Sequence, residues 1–284
     1  MGPRYNVAKT WHLLSLDAPT IAALWSWFFV RAMHLHIRTL PILLLSAATW
    51  LLYVLDRLLD GLHPGEAEMR ERHLFHARHR GAFVGTALLL ALPLAWTIWT
   101  RWYAPALRDD LELSVFVVLY FFCVHAESRL GRLGKTGGIP KELAVGILFA
   151  AATAIPAWSR MTAFPDGAKA RLAQADLLFA VLCWMNCVAI ERWEGRVSPP
   201  RRPHVSTLWA GAHLKPILLA VALCAVFGAW LMRSSNLGGV YFAAFLSCGL
   251  LFALDARRRS LSPLSLRIAA DAALLTPLAV FLIR

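Results

Sequence analysis

Apolar runs of about twenty residues, separated by short arginine-bearing stretches, recur along the whole chain. A helix needs about 20 apolar residues to cross the hydrocarbon of a bilayer. There the backbone polar groups find no partner but one another, so each run must be helical. Nine runs are read from the sequence: 18–33, 39–60, 82–100, 111–127, 138–158, 174–193, 214–232, 238–255 and 266–283. The expectation is an all-α integral membrane protein, a bundle of nine transmembrane helices forming a single domain over residues 1–284. The first 17 residues are too polar for a signal-peptide core, so the first run is expected to stay in place as a span.

Composition points the same way. Hydrophobic residues make up 58% and charged residues 16%, against about 45–50% and 25% in soluble domains. That excludes a disordered chain, a disulfide-built module and an ordinary cytosolic enzyme. A net charge of +12 would suggest nucleic acid in a soluble protein. Here the arginines sit in short loops beside apolar runs, which is the pattern of topology-setting charge next to anionic lipid. Nucleic acid is therefore not an expected partner, whereas membrane lipid is. Cys123, Cys183, Cys187, Cys224 and Cys248 all fall inside apolar runs and read as small packing residues. Cys183 and Cys187, four apart, are also a thiol pair within reach of a metal. Tryptophans such as Trp11, Trp50, Trp96, Trp209 and Trp230 flank the runs as an interfacial belt.

An odd number of spans puts the termini on opposite sides. The N-terminus and the stretches after even-numbered spans carry roughly two thirds of the 29 Lys and Arg. The positive-inside bias then places the N-terminus inside and the C-terminus outside. The large polar stretches 61–81, 128–137 and 194–213 all fall on the inner side, where function is expected. The Arg- and Ala-rich composition suggests a bacterial inner membrane.

Two helix ends at that face carry acids. The second span ends with Asp56, Arg57 and Asp60, and two Asp four apart share a helix face. Their repulsion is about 1 kcal/mol even in a watery dielectric. A hard divalent ion would explain the pair, and so would an exposed helix end with Arg57 as counter-ion. The sixth span ends with Glu191, Arg192, Glu194 and Gly195. The two segments share a pattern of acid, Arg, spacer, acid and Gly, and lie four spans apart. This hints at two four-helix pseudo-repeats plus one extra helix. Both ends fall at the inner face, where the four carboxylates could meet across a cavity. Ionisable residues at such positions are functional by default. Arg70, Arg72, Lys135, Lys141, Arg192 and Arg196 gather at the same face. Carboxylates, magnesium and basic side chains together suit a pyrophosphate.

On these residues the chain resembles the UbiA-type intramembrane prenyltransferase superfamily. The resemblance spans about residues 20–284 in span count and motif placement. Asp56 and Asp60 match the end of the family's first motif, and Arg70 to Leu74 is similar to the basic stretch after it. Lys141 to Gly146 with Ala154 to Trp158 resembles its fifth span, and Glu191 to Gly195 occupies the place of its second motif. Leu52 stands where the family usually has Asn, and Gly195 where it usually has a second Asp. The resemblance implies magnesium-dependent transfer of an isoprenoid group from a prenyl diphosphate to a lipophilic acceptor. It implies Asp56, Asp60, Glu191 and Glu194 as metal-binding and catalytic groups. It implies Arg57, Arg70, Arg72, Lys135, Lys141, Asn186, Arg192 and Arg196 as substrate-binding groups. Tyr53, Phe149 and Trp184 are candidate walls for the allylic cation. The altered second motif keeps open a non-catalytic relative that binds a lipid, quinone or pigment, or assists assembly of a membrane complex.

His73, His76 and His79 raise a separate possibility, a metal or haem site. On a helix, however, His73 and His79 point 240° apart and cannot share one ion. Asp255, beside Arg257, Arg258 and Arg259, is expected to form a local ion pair. Asp271, early in the last run, needs a partner that the sequence does not name.

Overall fold

A computed structural model of the chain describes residues 7–60, 71–101, 104–130, 140–195 and 204–283. Among them the structure is helical and contains no strand. The first helices are α1 (Val7–Leu13), α2 (Asp17–Ala32), α3 (Thr39–Asp60), α4 (Glu71–Arg78), α5 (Arg80–Arg101) and α6 (Ala104–Leu130). After them come α7 (Lys141–Trp158), α8 (Asp166–Glu194), α9 (Val205–Ala212), α10 (Leu214–Leu231) and α11 (Leu237–Ala256). The chain closes with α12 (Pro263–Ala272) and α13 (Pro277–Ile283).

Helix covers each of the nine segments read as spans. Among the described residues, six helices are long and apolar enough to cross a membrane: α3, α5, α7, α8, α10 and α11. The bent pair α1–α2 makes a seventh if it counts as one span. The last segment is broken instead of continuous. Pro277 has no N–H to give and disfavours helix in the residue before it, so α12 stops at Ala272 and α13 restarts at Pro277.

At each break an indole N–H from another helix serves a backbone carbonyl, as an apolar setting favours. At the first, α1 and α2 meet at 91°. Ser15 there has φ of 60°, a left-handed conformation that a residue with a Cβ seldom adopts. Its hydroxyl bonds Nε2 of the buried His76 at 3.1 Å, and Trp50 Nε1 donates to Leu14 O at 3.0 Å. At the second, Trp25 Nε1 donates to Leu274 O at 2.8 Å. Thr276 Oγ1 donates to Ala243 O at 2.8 Å and lies 2.7 Å from Ser247 Oγ.

α8 is the axis of the bundle. Leu172, Phe179, Leu182, Met185 and Val188 are fully buried along it. Trp25 of α2 stacks on Phe179 with ring centroids 4.0 Å apart. Gly146 lets α7 approach closely, since a Cβ there would sit 2.8 Å from Trp184 N. α5 lies at the periphery, with Leu88, Leu89, Leu92, Trp96 and Trp99 exposed, as suits contact with lipid.

Contacts between helix ends sort them to two faces. The ends of α3, α8 and α11 share one face with α1 and with the starts of α2, α7 and α12. Arg57 reaches His12, Trp193 reaches Asp255, Arg267 reaches Glu194, and Thr207 of α9 reaches Glu142 of α7. At the other face Asn236 Nδ2, before α11, bonds His34 Nε2, after α2, at 3.2 Å.

Candidate functional site

The first face holds a buried polar cluster assembled from five helices. Its side chains follow from local rules. Arg267 and Asp271 are four apart on α12 and share a face, as do Tyr53 and Arg57 on α3. α12 is started by Ser262, whose hydroxyl accepts from Ser265 N at 3.1 Å, with Pro263 in the first turn. Asp17 opens α2, and its Oδ1 accepts from Ala18 N at 3.0 Å. An acid in the first turn also meets the positive end of the helix dipole.

Within the cluster, His12 Nδ1 lies 2.6 Å from Asp17 Oδ2 and 3.8 Å from Asp271 Oδ2. Asn186 Nδ2 donates to Asp271 Oδ1 at 3.2 Å. Arg267 Nη1 donates to Glu194 Oε1 at 3.0 Å. Arg57 is buried, and its Nη1 donates to the His12 carbonyl at 3.2 Å. Tyr53 and Cys187 lie within electrostatic reach of Asp271 and Arg267. His12 Nε2, Asn186 Oδ1 and Arg267 Nε are buried with no hydrogen-bond partner among the described residues. The sequence left Asp271 without a partner. The structure supplies Asn186, His12 and Asp17.

The residues singled out from sequence distribute unevenly. Arg57, Asn186 and Glu194 are members of the cluster. Asp56 and Glu191 stand half-buried at the ends of α3 and α8. Lys141 is exposed at the start of α7. Arg192 donates through Nη1 to Gly211 O, and its Nε lies 3.9 Å from Asp255 Oδ1. Arg70, Lys135 and Arg196 lie outside the described residues, as do the side chains of Asp60, Arg72 and His73. His12, Asp17 and Arg267 were missed. They lie near helix ends, where an isolated charged residue reads as interfacial. The only signal was an Arg and an Asp four apart within the last run.

The histidine expectation resolves differently. His76 is buried, stacks on Phe83 at 4.0 Å and bonds Ser15, which docks α4 against the α1–α2 bend. His79, exposed in the turn after α4, donates through Nδ1 to Phe75 O at 2.9 Å. These two do not converge on one ion. Asp255 does pair with Arg258, at 2.9 Å, and also accepts from Trp193 Nε1 at 3.0 Å. Phe149 packs near Phe179, ring centroids 6.2 Å apart, within the aromatic core. Tyr53 is in reach of the cluster, and Trp184 packs half-buried against the core.

Comparison with known protein families, with characterised proteins and with solved structures finds no match to this chain.

Proposed function

We propose that this chain is a divergent intramembrane prenyltransferase of the UbiA type. It moves an isoprenoid group from a prenyl diphosphate to a lipophilic acceptor, in a bacterial inner membrane with the N-terminus inside. One observation carries the reading: the ends of α3 and α8, far apart in sequence, converge on a single buried polar cluster. Two features support it further. The order helix pair, short helix, helix pair occurs twice among the described residues, as α2 to α6 and α7 to α11, with α1, α12 and α13 left over. Both acid-bearing helices are followed by a short helix, α4 or α9, that packs back on its predecessor.

Asp56, Asp60 and Glu191 offer only oxygen donors, the set that magnesium takes. Magnesium, when bound, neutralises diphosphate oxygens and stabilises the charge that grows on the leaving group. Lys141 stands exposed at the start of α7, and Arg70, Arg72, Lys135 and Arg196 are the further basic residues proposed to hold the diphosphate. Glu194 fixes Arg267, and through it the electrostatics behind the diphosphate. Tyr53 presents an aromatic face to the departing allylic carbon and keeps water from it. The Glu194–Arg267 pair also favours a second reading, a relative that binds the isoprenoid without turning it over, because an acid held by Arg is a poorer metal ligand.

The test is binding of geranyl, farnesyl and geranylgeranyl diphosphate to the purified protein, with and without magnesium. Magnesium-dependent binding is expected, and Asp56→Asn or Glu191→Gln should weaken it by about 10-fold or more. Binding without product, over a panel of lipophilic acceptors, selects the second reading. Absence of binding by the unaltered protein ends both.

A further inference from the structure

We propose that His12, Asp17 and Asp271 form a site for one divalent transition metal of the zinc, manganese and ferrous class, with Asn186 as a fourth donor. The site is independent of prenyl transfer. One ligand atom from each of the three residues lies within 4.8 Å of the others. The residues come from α1, the start of α2 and the last turn of α12, so their approach is a product of folding and not of local sequence.

Two acids near a histidine would not suffice, and two further observations point to a ligand. First, the cluster holds an acceptor with nothing to accept. Asn186 is 5% exposed, and its Nδ2 is bonded to Asp271 Oδ1, yet its own Oδ1 has no partner. A buried polar atom left unpaired is costly. An amide oxygen is a group that a divalent ion accepts, and His12 offers Nδ1, the nitrogen that faces both carboxyl groups. Second, Asp17 and Asp271 lie within hydrogen-bonding reach of each other, two acid groups at one spot, while Arg267 is committed to Glu194. A cation between them takes the place of the proton that two such neighbours otherwise share.

The donor chemistry selects the ion. Magnesium and calcium take oxygen ligands, whereas a mixed set of imidazole and carboxylate suits zinc, manganese or ferrous iron. The geometry needs little change. A tetrahedral ion with bonds of about 2.0–2.2 Å keeps its ligands roughly 3.3 Å apart. The present separations of 2.6 and 3.8 Å bracket that value. The ion replaces the proton shared by His12 and Asp17 and draws Asp271 inward. Arg57 holds the His12 carbonyl and so fixes the segment that carries the imidazole. Bound this way, the metal clips the first helix of the chain to the last span.

The experiment uses the full chain in detergent, stripped with chelator, loaded separately with zinc and with manganese, and assayed by elemental analysis. A single zinc per chain is expected. Zinc-edge X-ray absorption should show nitrogen and oxygen at about 2.0–2.1 Å, an imidazole signature and no sulfur shell. His12→Gln and Asp271→Asn should weaken zinc by more than about 100-fold. Asp56→Asn and Glu191→Gln should keep the imidazole-bound zinc, which separates this site from the magnesium site proposed above. The proposal is overturned by an unaltered protein that binds neither metal, by a sulfur-containing shell, or by His12→Gln and Asp271→Asn proteins that bind as the unaltered one does. Should either variant fail to fold, the absorption spectrum of the unaltered protein decides alone.

Discussion

Arg267 and Glu194 are joined by a hydrogen-bonded ion pair of 3.0 Å across 73 residues of sequence, with little of either side chain exposed. The pair holds α12, half of a broken segment too short to cross a membrane, against the end of α8. Breaking a buried pair from one side strands a charge and costs about 3–5 kcal/mol, whereas replacing both partners with apolar groups is often neutral. Arg267→Met and Glu194→Leu should each lower the unfolding midpoint in detergent. The double variant should recover most of the loss. A double variant as damaged as the sum of the two would show that the partners act separately.

The bend between α1 and α2 depends on α4, a helix that lies outside the spans. His76 is its anchor, through Ser15 and the stack on Phe83. His76→Ala should cost about 1–3 kcal/mol by leaving the buried Ser15 hydroxyl with one partner fewer. Hydrogen exchange should rise in α4 and at residues 13–17 while α8 stays protected. Uniform deprotection of the whole chain would contradict a local anchor.

Trp25 combines a stack on Phe179 with the bond that satisfies Leu274 O at the α12–α13 break. Trp25→Phe keeps an aromatic ring but leaves that carbonyl bare, at about 1–3 kcal/mol. Thermal unfolding of the purified protein measures the loss. Trp27→Phe, a ring swap at an exposed position of the same helix, should change stability by less than about 0.5 kcal/mol.

Glycine packing offers a paired comparison. A Cβ on Gly146 would meet Trp184 N at 2.8 Å and Ala180 O at 3.0 Å, both backbone atoms that cannot step aside. Gly146→Ala should therefore destabilise by about 1–3 kcal/mol. Gly249 of α11 meets nothing within 4 Å, and Gly249→Ala should be neutral or slightly stabilising. Equal effects at the two positions would mean that the close approach of α7 and α8 carries no energy.

Much of the architecture was readable before any coordinates. The 39–60 run became α3 to the residue, and 214–232 became α10 but for its last residue, because a bilayer-length apolar run has one solution for its backbone. The last run was read as continuous, and Pro277 breaks it. A proline inside an apolar segment leaves the choice between kink and break to its neighbours, and here Trp25 serves a freed carbonyl while Thr276 ties the break to α11. Arg57, Asn186 and Glu194, singled out from sequence, lie in the buried cluster beside partners that the sequence did not name, the His12 carbonyl, Asp271 and Arg267.

Apolar periodicity and turn residues are properties of neighbours along the chain, so residue order alone determined that this protein is a set of apolar helices. Which charges meet was settled only by packing. His12, Asp17 and Asp271 belong to the two ends of the sequence, and no spacing rule relates them. They come together because α2, α8 and α12 bury a common core, and burial then forces each ionisable group to find whichever partner the fold has brought within reach.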